Sequence, residues 1–320
     1  MRSMQSSSGR ATWPAAPRAS HGLRAGQCFT PDARLLQFAD NFQLVSRDAA
    51  GALPRILPGS GALLCIPLGG TLQLHNLHSG TRSQFTTPFV ICNRHTVLDL
   101  ACDGALELII VAFRPGRLRY LVPASFSELQ DRFTCAAGLW GNARCSTLQE
   151  RLALCRDNGM RMALVGEFLE TCLPAQCDAR LDRLHDLLYL APETRITDLA
   201  TQGGWSLRHF ERLFAQAYGV SPKYFARVAR LQQVARNMAL GLAPNVAAAV
   251  MDAGFYDQPH FIHELQSLAS LRPVELRTGP LRAAALLQPA SHSRLSQVAA
   301  PERGHLTAEK NGEGFPAPSS

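Results

Sequence analysis

Two stretches near the C-terminus are divergent copies of each other: LATQGGWSLRHFERLFAQAYGVSPKYFAR (199–227) and AVMDAGFYDQPHFIHELQSLASLRPVELR (249–277). Gly204-Trp205 in the first copy corresponds to Gly254-Phe255 in the second, and Phe210 corresponds to Phe261. The spacing is 50 residues at the turn (254 minus 204) and 51 after it (261 minus 210), so the second turn is one residue longer. A repeat of this period indicates one supersecondary unit built twice. Each copy predicts a helix-turn-helix, a unit that places its second helix in the DNA major groove.

The second helix of the first copy is predicted to be amphipathic, with Ser206 as its N-cap. Its apolar residues recur at steps of three and four, as on one buried face: Phe210, Leu213, Phe214 and Ala217. Arg208, His209 and Arg212 lie off that face and are candidates to contact DNA. Arginine suits this role because its planar fork matches the O6 and N7 acceptors of guanine.

The second copy repeats this arrangement with different polar residues. Asp257 is suited to cap its second helix, and the apolar face consists of Phe261, Leu265 and Leu268. The candidates to face DNA are Tyr256, Gln258, His260 and His263. A glutamine amide matches N6 and N7 of adenine, whereas each histidine taken singly also fits an ordinary surface position.

A further helix, at about 222–239, is predicted to join the two copies. Ser221-Pro222 opens it, because serine caps well and proline is tolerated in a first turn. Its inward residues are predicted to be Phe225, Val228, Ala235 and Met238. Its basic residues are expected on or beside the solvated side: Lys223, Arg227, Arg230 and Arg236.

The front half has a different periodicity. Short apolar or alternating runs at 62–70, 71–77, 89–93, 96–102 and 106–113 predict strands of a sandwich or small barrel. Runs at 148–155 and 160–173 have helical spacing. The predicted fold class is therefore α+β and multidomain. Its parts are a disordered leader (1–27), a β-rich sensor or dimerisation domain (28–124), a helical linker (125–178), an all-α DNA-binding domain (179–280) and a disordered tail (281–320).

Composition narrows the function classes. The chain has 320 residues, 46% hydrophobic and 18% charged, with a net charge of +7 that mildly favours an anionic partner. It has no run of eighteen apolar residues, so we expect no membrane partner and a cytoplasmic, nucleoid-associated location. Nine cysteines without a C-x-x-C pair are typical of reduced thiols, with a redox-sensing Cys172/Cys177 pair as the alternative.

The sequence does not predict an enzyme, a cofactor or a metal. It lacks a G-x-S-x-G elbow, a phosphate-binding loop and a dinucleotide fingerprint. The alternative function is a metal-binding, cupin-like enzyme fused to a DNA-binding domain, whose ligands would come from His75, His78 and His95. An alkyl-accepting repair regulator would need an activated Pro-Cys-His-Arg motif, which is absent. A non-DNA interaction module is the remaining rival.

The segment from about 180 to 278 resembles the DNA-binding domain of the AraC/XylS family of bacterial transcription regulators. The resemblance is carried by GGWSLRHFERLF (203–214), YGVSPKYFARVARLQQVAR (218–236) and AGFYDQPHFI (253–262). It implies seven helices, with two recognition helices entering successive major grooves of double-stranded DNA. The residues it places in those helices are Ser206, Leu207, Arg208, His209 and Arg212 in the first, and Gln258, Pro259, His260 and His263 in the second.

The second copy departs from the family pattern at four positions. His263 stands where arginine is usual, Leu265 where phenylalanine is usual, and Ser270 where glycine is usual. Arg272 replaces a serine or threonine before Pro273. We therefore expect unequal partners, in which the first recognition helix supplies most of the affinity.

The front half is similar to the sensor domains of a subset of this family. The shared features are LPGSGALLCIPLGG (57–70), IIVAFRPGRLRYLV (109–122) and Leu139-Trp140-Gly141, although Pro58 is followed by Gly59-Ser60 instead of the usual Asp. This resemblance implies control of transcription by a small-molecule effector or by self-association as a homodimer. RNA polymerase is a further candidate partner.

Overall fold

We describe residues 23–77, 79–92, 95, 97–239 and 241–273 of a computed structural model. The strands are β1 (Leu23–Phe29), β2 (Ala39–Arg47), β3 (Gly51–Ile56), β4 (Leu63–Gly69), β5 (Leu72–Asn76), β6 (Arg82–Phe85), β7 (Phe89–Ile91), β8 (Leu98–Cys102), β9 (Leu106–Phe113) and β10 (Phe133–Cys135). The helices are α1 (Phe126–Leu129), α2 (Ala136–Trp140), α3 (Asn142–Leu154), α4 (Asn158–Glu170), α5 (Ala179–Leu190), α6 (Ile196–Gln202), α7 (Leu207–Tyr218), α8 (Pro222–Ala239), α9 (Val246–Asp252) and α10 (Gln258–Ala269). None of these helices is long and apolar enough to cross a membrane.

The strands form two antiparallel sheets, which confirms the β-rich front half. Their orders are β1-β2-β9-β4-β7-β10 and β3-β8-β5-β6. In the central strand β9, Leu108 and Ile110 pack between the two sheets, whereas Ile109 and Val111 pack on the other face, against helices. Because both faces of β9 are covered, its sequence from Leu108 to Phe113 is a continuous apolar run without alternation.

Helices α3 and α4 lie on the outer face of the larger sheet. Leu148 and Leu152 of α3 and Val165 of α4 belong to the same buried cluster as Ile109. Strand β10 also falls within 125–178 and pairs with β7. The segment predicted to be a helical linker therefore contributes to the front-half core.

The sheet begins earlier than the sequence indicated. Strand β1 starts at Leu23, inside the predicted leader 1–27, and pairs with β2. Strand β2 escaped prediction because Asn41 and Gln43 interrupt its apolar pattern. Both are buried, and the Gln43 Nε2 amide donates to Asn41 Oδ1 at 2.8 Å. Residues 1–22 and the predicted tail 281–320 lie outside the described residues.

A buried carboxylate connects the front half to the first helix-turn-helix unit. Asp182 of α5 accepts hydrogen bonds from Arg117 Nη1 (2.7 Å) and Arg119 Nη2 (3.0 Å), which follow β9. It also accepts the hydroxyl protons of Tyr120 (2.8 Å) and Tyr218 (2.9 Å). Burial and the bond to Asp182 raise the pKa of Tyr120 to about 12, so its hydroxyl keeps the proton at neutral pH. We call these five residues the Asp182 cluster.

A second contact between the halves is apolar. Leu57 and Val97 of the front half belong to the same buried cluster as Val228 and Leu231 of α8. Beside them, the Gln232 Nε2 amide donates to the carbonyl oxygen of Pro58 at 3.2 Å. Helix α8 is therefore anchored to the front half as well as to its neighbours in the C-terminal half.

We expect Asp182→Asn to lower the free energy of unfolding by about 3–5 kcal/mol, because it leaves the buried arginines without their charged partner. Urea unfolding of the full chain measures this. The matched control is Glu167→Gln, since Glu167 bonds Arg151 at 2.8 Å but the two side chains are 59% and 50% exposed. That exposed pair should contribute less than about 1 kcal/mol. Equal losses in the two variants would contradict the structural importance of the cluster.

Candidate nucleic-acid interface

The two helix-turn-helix copies have matching helix boundaries. Helix α6 spans Ile196–Gln202 and α9 spans Val246–Asp252, which gives an offset of 50 (246 minus 196) at equal length. Helix α7 spans Leu207–Tyr218 and α10 spans Gln258–Ala269, an offset of 51 (258 minus 207), again at equal length. The one additional residue is Tyr256, which is 86% exposed.

Each turn closes its first helix by the same pair of backbone hydrogen bonds. Gly204 N donates to Thr201 O (2.8 Å), and Trp205 N donates to Ala200 O (2.9 Å). The second copy repeats both bonds at Gly254 and Phe255. Gly204 and Gly254 have φ values of 66° and 74°, a left-handed conformation that a β-carbon disfavours. The predicted glycine turns are thus present in both copies.

The repeat extends to a third helix in each copy, which sequence reasoning missed. The Arg180 guanidinium of α5 lies over the Trp205 ring at 4.6 Å, and that of Arg230 in α8 lies over Phe255 at 5.3 Å. The two arginines are 50 residues apart (230 minus 180), the same offset as the turns. Each copy is therefore a three-helix unit whose aromatic turn residue is covered by a cation from its first helix.

The second helices begin at the predicted caps. Ser206 Oγ accepts the backbone N–H of His209 at 3.3 Å, and Asp257 Oδ1 accepts that of His260 at 2.8 Å. The buried faces are also as predicted, since Phe210 and Phe214 are fully buried in α7, as are Phe261 and Leu265 in α10. These side chains fix the rotation of both helices and so decide which residues face outward.

The outward face of α7 is polar and basic. Ser206, Leu207, Arg208 and Arg212 are exposed, and His209 is half-buried. Arg212 donates from Nη2 to His209 Nδ1 (3.2 Å) and from Nη1 to Gln216 Oε1 (3.2 Å). These neighbours hold the guanidinium along the helix surface.

The outward face of α10 has the same positions but different chemistry. Gln258, Pro259 and His263 are exposed, and His260 is half-buried. Glu264 accepts a hydrogen bond from Arg227 Nε of α8 at 2.8 Å, which directs its charge inward. Tyr256 stands at the start of this helix.

Helix α8 presents fewer cations to solvent than predicted. Lys223 is exposed and Arg227 and Arg230 are half-buried, but Arg236 is 8% exposed and donates to the Tyr189 hydroxyl at 3.4 Å. The expectation that Arg236 lies on or beside the solvated side is wrong. The reason is that α8 packs both against α5 and against the front half.

The metal alternative gains no assembled site in the described part of the chain, where no three His, Cys, Asp or Glu side chains are placed to hold an ion. His78 lies outside the described residues, and His95 is bonded to Asp131. Arg144 Nη2 donates to Cys172 Sγ at 3.2 Å, a basic neighbour that sequence order did not reveal.

Residues 199–279 match the family model described as a helix-turn-helix domain. The C-terminal half carries an AraC-type helix-turn-helix domain. It places the chain among DNA-binding transcription regulators and confirms the resemblance seen in the sequence. Helices α6 to α10 overlap the matched residues, and α5 precedes them.

Other comparisons concern the whole chain. No curated protein sequence matches it. A structure of ToxT from Vibrio cholerae is similar over 79% of this chain and 97% of its own, with 10% identity and a TM-score of 0.46. ToxT bound to (E)-4-(8-methylnaphthalen-1-yl)but-3-enoic acid matches over 80% and 100%, with 10% identity and a TM-score of 0.45. The AraC-like transcriptional activator CuxR matches over 69% and 84%, with 12% identity and a TM-score of 0.26.

Helices α7 and α10 end at different residues that share one unusual backbone conformation. Gly219 ends α7 at φ 73°, and Ser270 ends α10 at φ 53° and ψ 31°. The left-handed region costs a residue with a β-carbon roughly 1–2 kcal/mol. Ser270 therefore strains the second helix end at the position where the family usually has glycine.

We expect Ser270→Gly to raise the free energy of unfolding by about 0.5–1 kcal/mol, because relief of strain exceeds the added flexibility of the unfolded chain. Thermal and urea unfolding measure the change. Gly219→Ala is the matched opposite, since its β-carbon would also lie 3.1 Å from Phe126 Cβ. A stability loss in Ser270→Gly would show that the serine is favoured at that position.

Proposed function

We propose that this regulator reads double-stranded DNA with both α7 and α10 and that its front half controls that binding. One observation supports this proposal best. Helices α7 and α10 are both capped and equal in length, each buries one face, and their corresponding outward positions are exposed. Two helices in one chain can read two adjacent major-groove segments, so a single copy suffices for a bipartite site.

Residues of the first unit have distinct proposed roles. Arg208 and Arg212 contact guanine edges or phosphates, with Arg212 oriented by His209 and Gln216. Ser206, Leu207 and Lys223 lie at or beside helix starts, where exposed backbone and side-chain donors suit phosphate oxygens. The first-turn peptide N–H groups of α7 that the Ser206 side chain does not bind favour the same anion.

The residues of the second unit are expected to attract the DNA phosphates less strongly than those of the first unit. Tyr256, Gln258, Pro259, His260 and His263 form its proposed DNA-facing set, and none carries a permanent charge. Most of the sequence-independent affinity therefore comes from the first unit, because phosphate neutralisation dominates that part of the binding free energy.

We expect Arg208→Ala and Arg212→Ala each to weaken specific DNA binding by about 1–3 kcal/mol, the usual loss of a base-reading arginine. The measurement is the dissociation constant for a selected duplex at fixed salt. Arg151→Ala, which removes an exposed arginine from α3, is the control and should leave the constant unchanged. Unchanged affinity in both α7 variants would refute their assignment.

Footprinting on DNA upstream of the chain's own gene tests the function as a whole. A protected region covering two successive major-groove segments supports binding by one copy, and a region twice as long indicates a homodimer. A non-DNA interaction module predicts no protection at any concentration at which the protein stays folded.

The front half offers a place for a small-molecule effector. A cleft of about 580 Å³ lies between the end of β4 (66–70), α3 and Arg161. Its volume falls in the range of small-ligand sites, and its lining combines apolar residues with charged ones. Arg161 Nη1 donates to Glu107 Oε1 at 2.9 Å, which ties the cleft to the beginning of β9.

Strand β9 connects this cleft to the AraC-type domain. Glu107 stands near its start, and Arg117 follows its end and bonds Asp182. A ligand that shifts β9 would act directly on the Asp182 cluster and so on α5 and α7. Such coupling requires that the ligand favour one arrangement of the two halves over another.

We expect Gly116→Ala to reduce operator affinity about 2- to 30-fold, the range in which coupling mutations act. Its β-carbon would lie 2.5 Å from two ring carbons of Tyr218, and φ is 74°, so the substitution disturbs the contact without touching a DNA-facing residue. Gly104→Ala, whose β-carbon meets nothing within 4 Å, is the control. Wild-type affinity in a folded Gly116→Ala protein would exclude this coupling route.

A further inference from the structure

The outward face of α10 consists of two rows of exposed residues without charge. One row is Gln258, Ile262 and Gln266, and the neighbouring row is Pro259, His263 and Ser267. Within each row the residues are four apart, so their side chains follow one line along the helix. Ile262 is 37% exposed although it is a large apolar residue.

The first unit shows how unusual this face is. At the offset of 51 residues, Leu207, Glu211 and Ala215 of α7 correspond to the first row, and Arg208, Arg212 and Gln216 correspond to the second. The charged positions of α7 are thus all replaced by neutral residues in α10. The one carboxylate of α10, Glu264, is bonded to Arg227 instead of facing outward.

The chemistry of this face suits A·T pairs better than G·C pairs. Adenine presents an acceptor and a donor in the major groove, which one glutamine amide can satisfy at both atoms. Thymine presents a methyl group, which an exposed aliphatic side chain can cover. Guanine presents two acceptors, which call for arginine or lysine, and α10 contains neither residue.

We propose that the operator of this regulator is chemically bipartite, with an A·T segment read by Gln258, Ile262 and Gln266 and a G·C-containing segment read by α7. This inference rests on the proposed DNA-binding function and specifies its substrate. Gln258 and Gln266 select adenine, and Ile262 packs on a thymine methyl between them. His263 lies in the neighbouring row, beside these residues.

Selection of duplexes from a pool with a randomised region of about 30 base pairs tests the proposal with the full chain. We expect enriched sites with two conserved clusters about 10–10.5 base pairs apart, one containing guanine and one composed of A·T pairs. In a parallel selection, Gln266→Ala should lower the preference for A·T in the second cluster about tenfold and leave the first cluster intact.

Replacing thymine by deoxyuridine tests the contact of Ile262, because uracil lacks the methyl group. At one thymine of the second cluster the change should weaken wild-type binding about fourfold, the value of one buried methyl-sized group. Ile262→Ala should bind both duplexes equally. Glu211→Ala, at the corresponding position of α7, is the matched control and should keep the fourfold difference. Because Ile262 and Glu211 are both exposed, we expect the two variants to fold like the wild type. Thermal unfolding of each variant checks this.

The possible outcomes distinguish failure of the proposed DNA-binding function from failure of the proposed A·T recognition by α10. If no duplex is enriched, the proposed DNA-binding function fails, and this inference fails with it. If duplexes are enriched but the second cluster contains G·C pairs, or none of the α10 variants changes it, DNA binding stands and the A·T reading is overturned. The uncharged face of α10 would then be a surface for another protein.

Discussion

The buried carboxylate of Asp182 is the constraint on which the joining of the two halves depends. A charge in a protein interior is stable only when it is paired and its lone pairs are filled. Asp182 meets both conditions with two arginines and two tyrosine hydroxyls, and Asp186 takes the second nitrogen of Arg117 at 2.6 Å. Arg117 thus bonds both carboxylates. Since the donors follow β9 and end α7, neither half satisfies the cluster alone.

A comparison of the two helix-turn-helix units shows which features both retain and which differ. The two units keep the same turns, helix lengths, caps and arginine-over-ring contacts, because each of these satisfies backbone groups or covers an aromatic ring. They differ in charge on the outward face, where no packing demand limits the side chain, and they also differ at buried positions such as Phe214 and Leu265. The additional Tyr256 lengthens the second turn without altering either flanking helix.

Sequence reasoning succeeded where the determinants are local. Apolar runs such as that of β9 gave the strands, and the caps Ser206 and Asp257 gave the helix starts, because each signal lies within a few residues of its effect. It missed β2, since the burial of Asn41 and Gln43 depends on their mutual hydrogen bond. The burial of Arg236 and of the four residues around Asp182 could not be predicted for a different reason. They depend on contacts between segments far apart in the chain.

The unequal outward faces of α7 and α10 would contribute differently to the proposed DNA binding. Cationic contacts release counterions and give affinity that does not depend on sequence, whereas neutral contacts to base edges give discrimination. The proposed first face has both kinds of residue, and the proposed second face has only the latter. A site matching α7 alone would therefore retain most of the salt-dependent affinity, while the match at α10 would decide among such sites. Because α8 is anchored to the front half through Leu57 and Val97, that half can influence where the second face lies relative to the first. Control by the front half would then act on discrimination among sites more than on the electrostatic attraction to DNA.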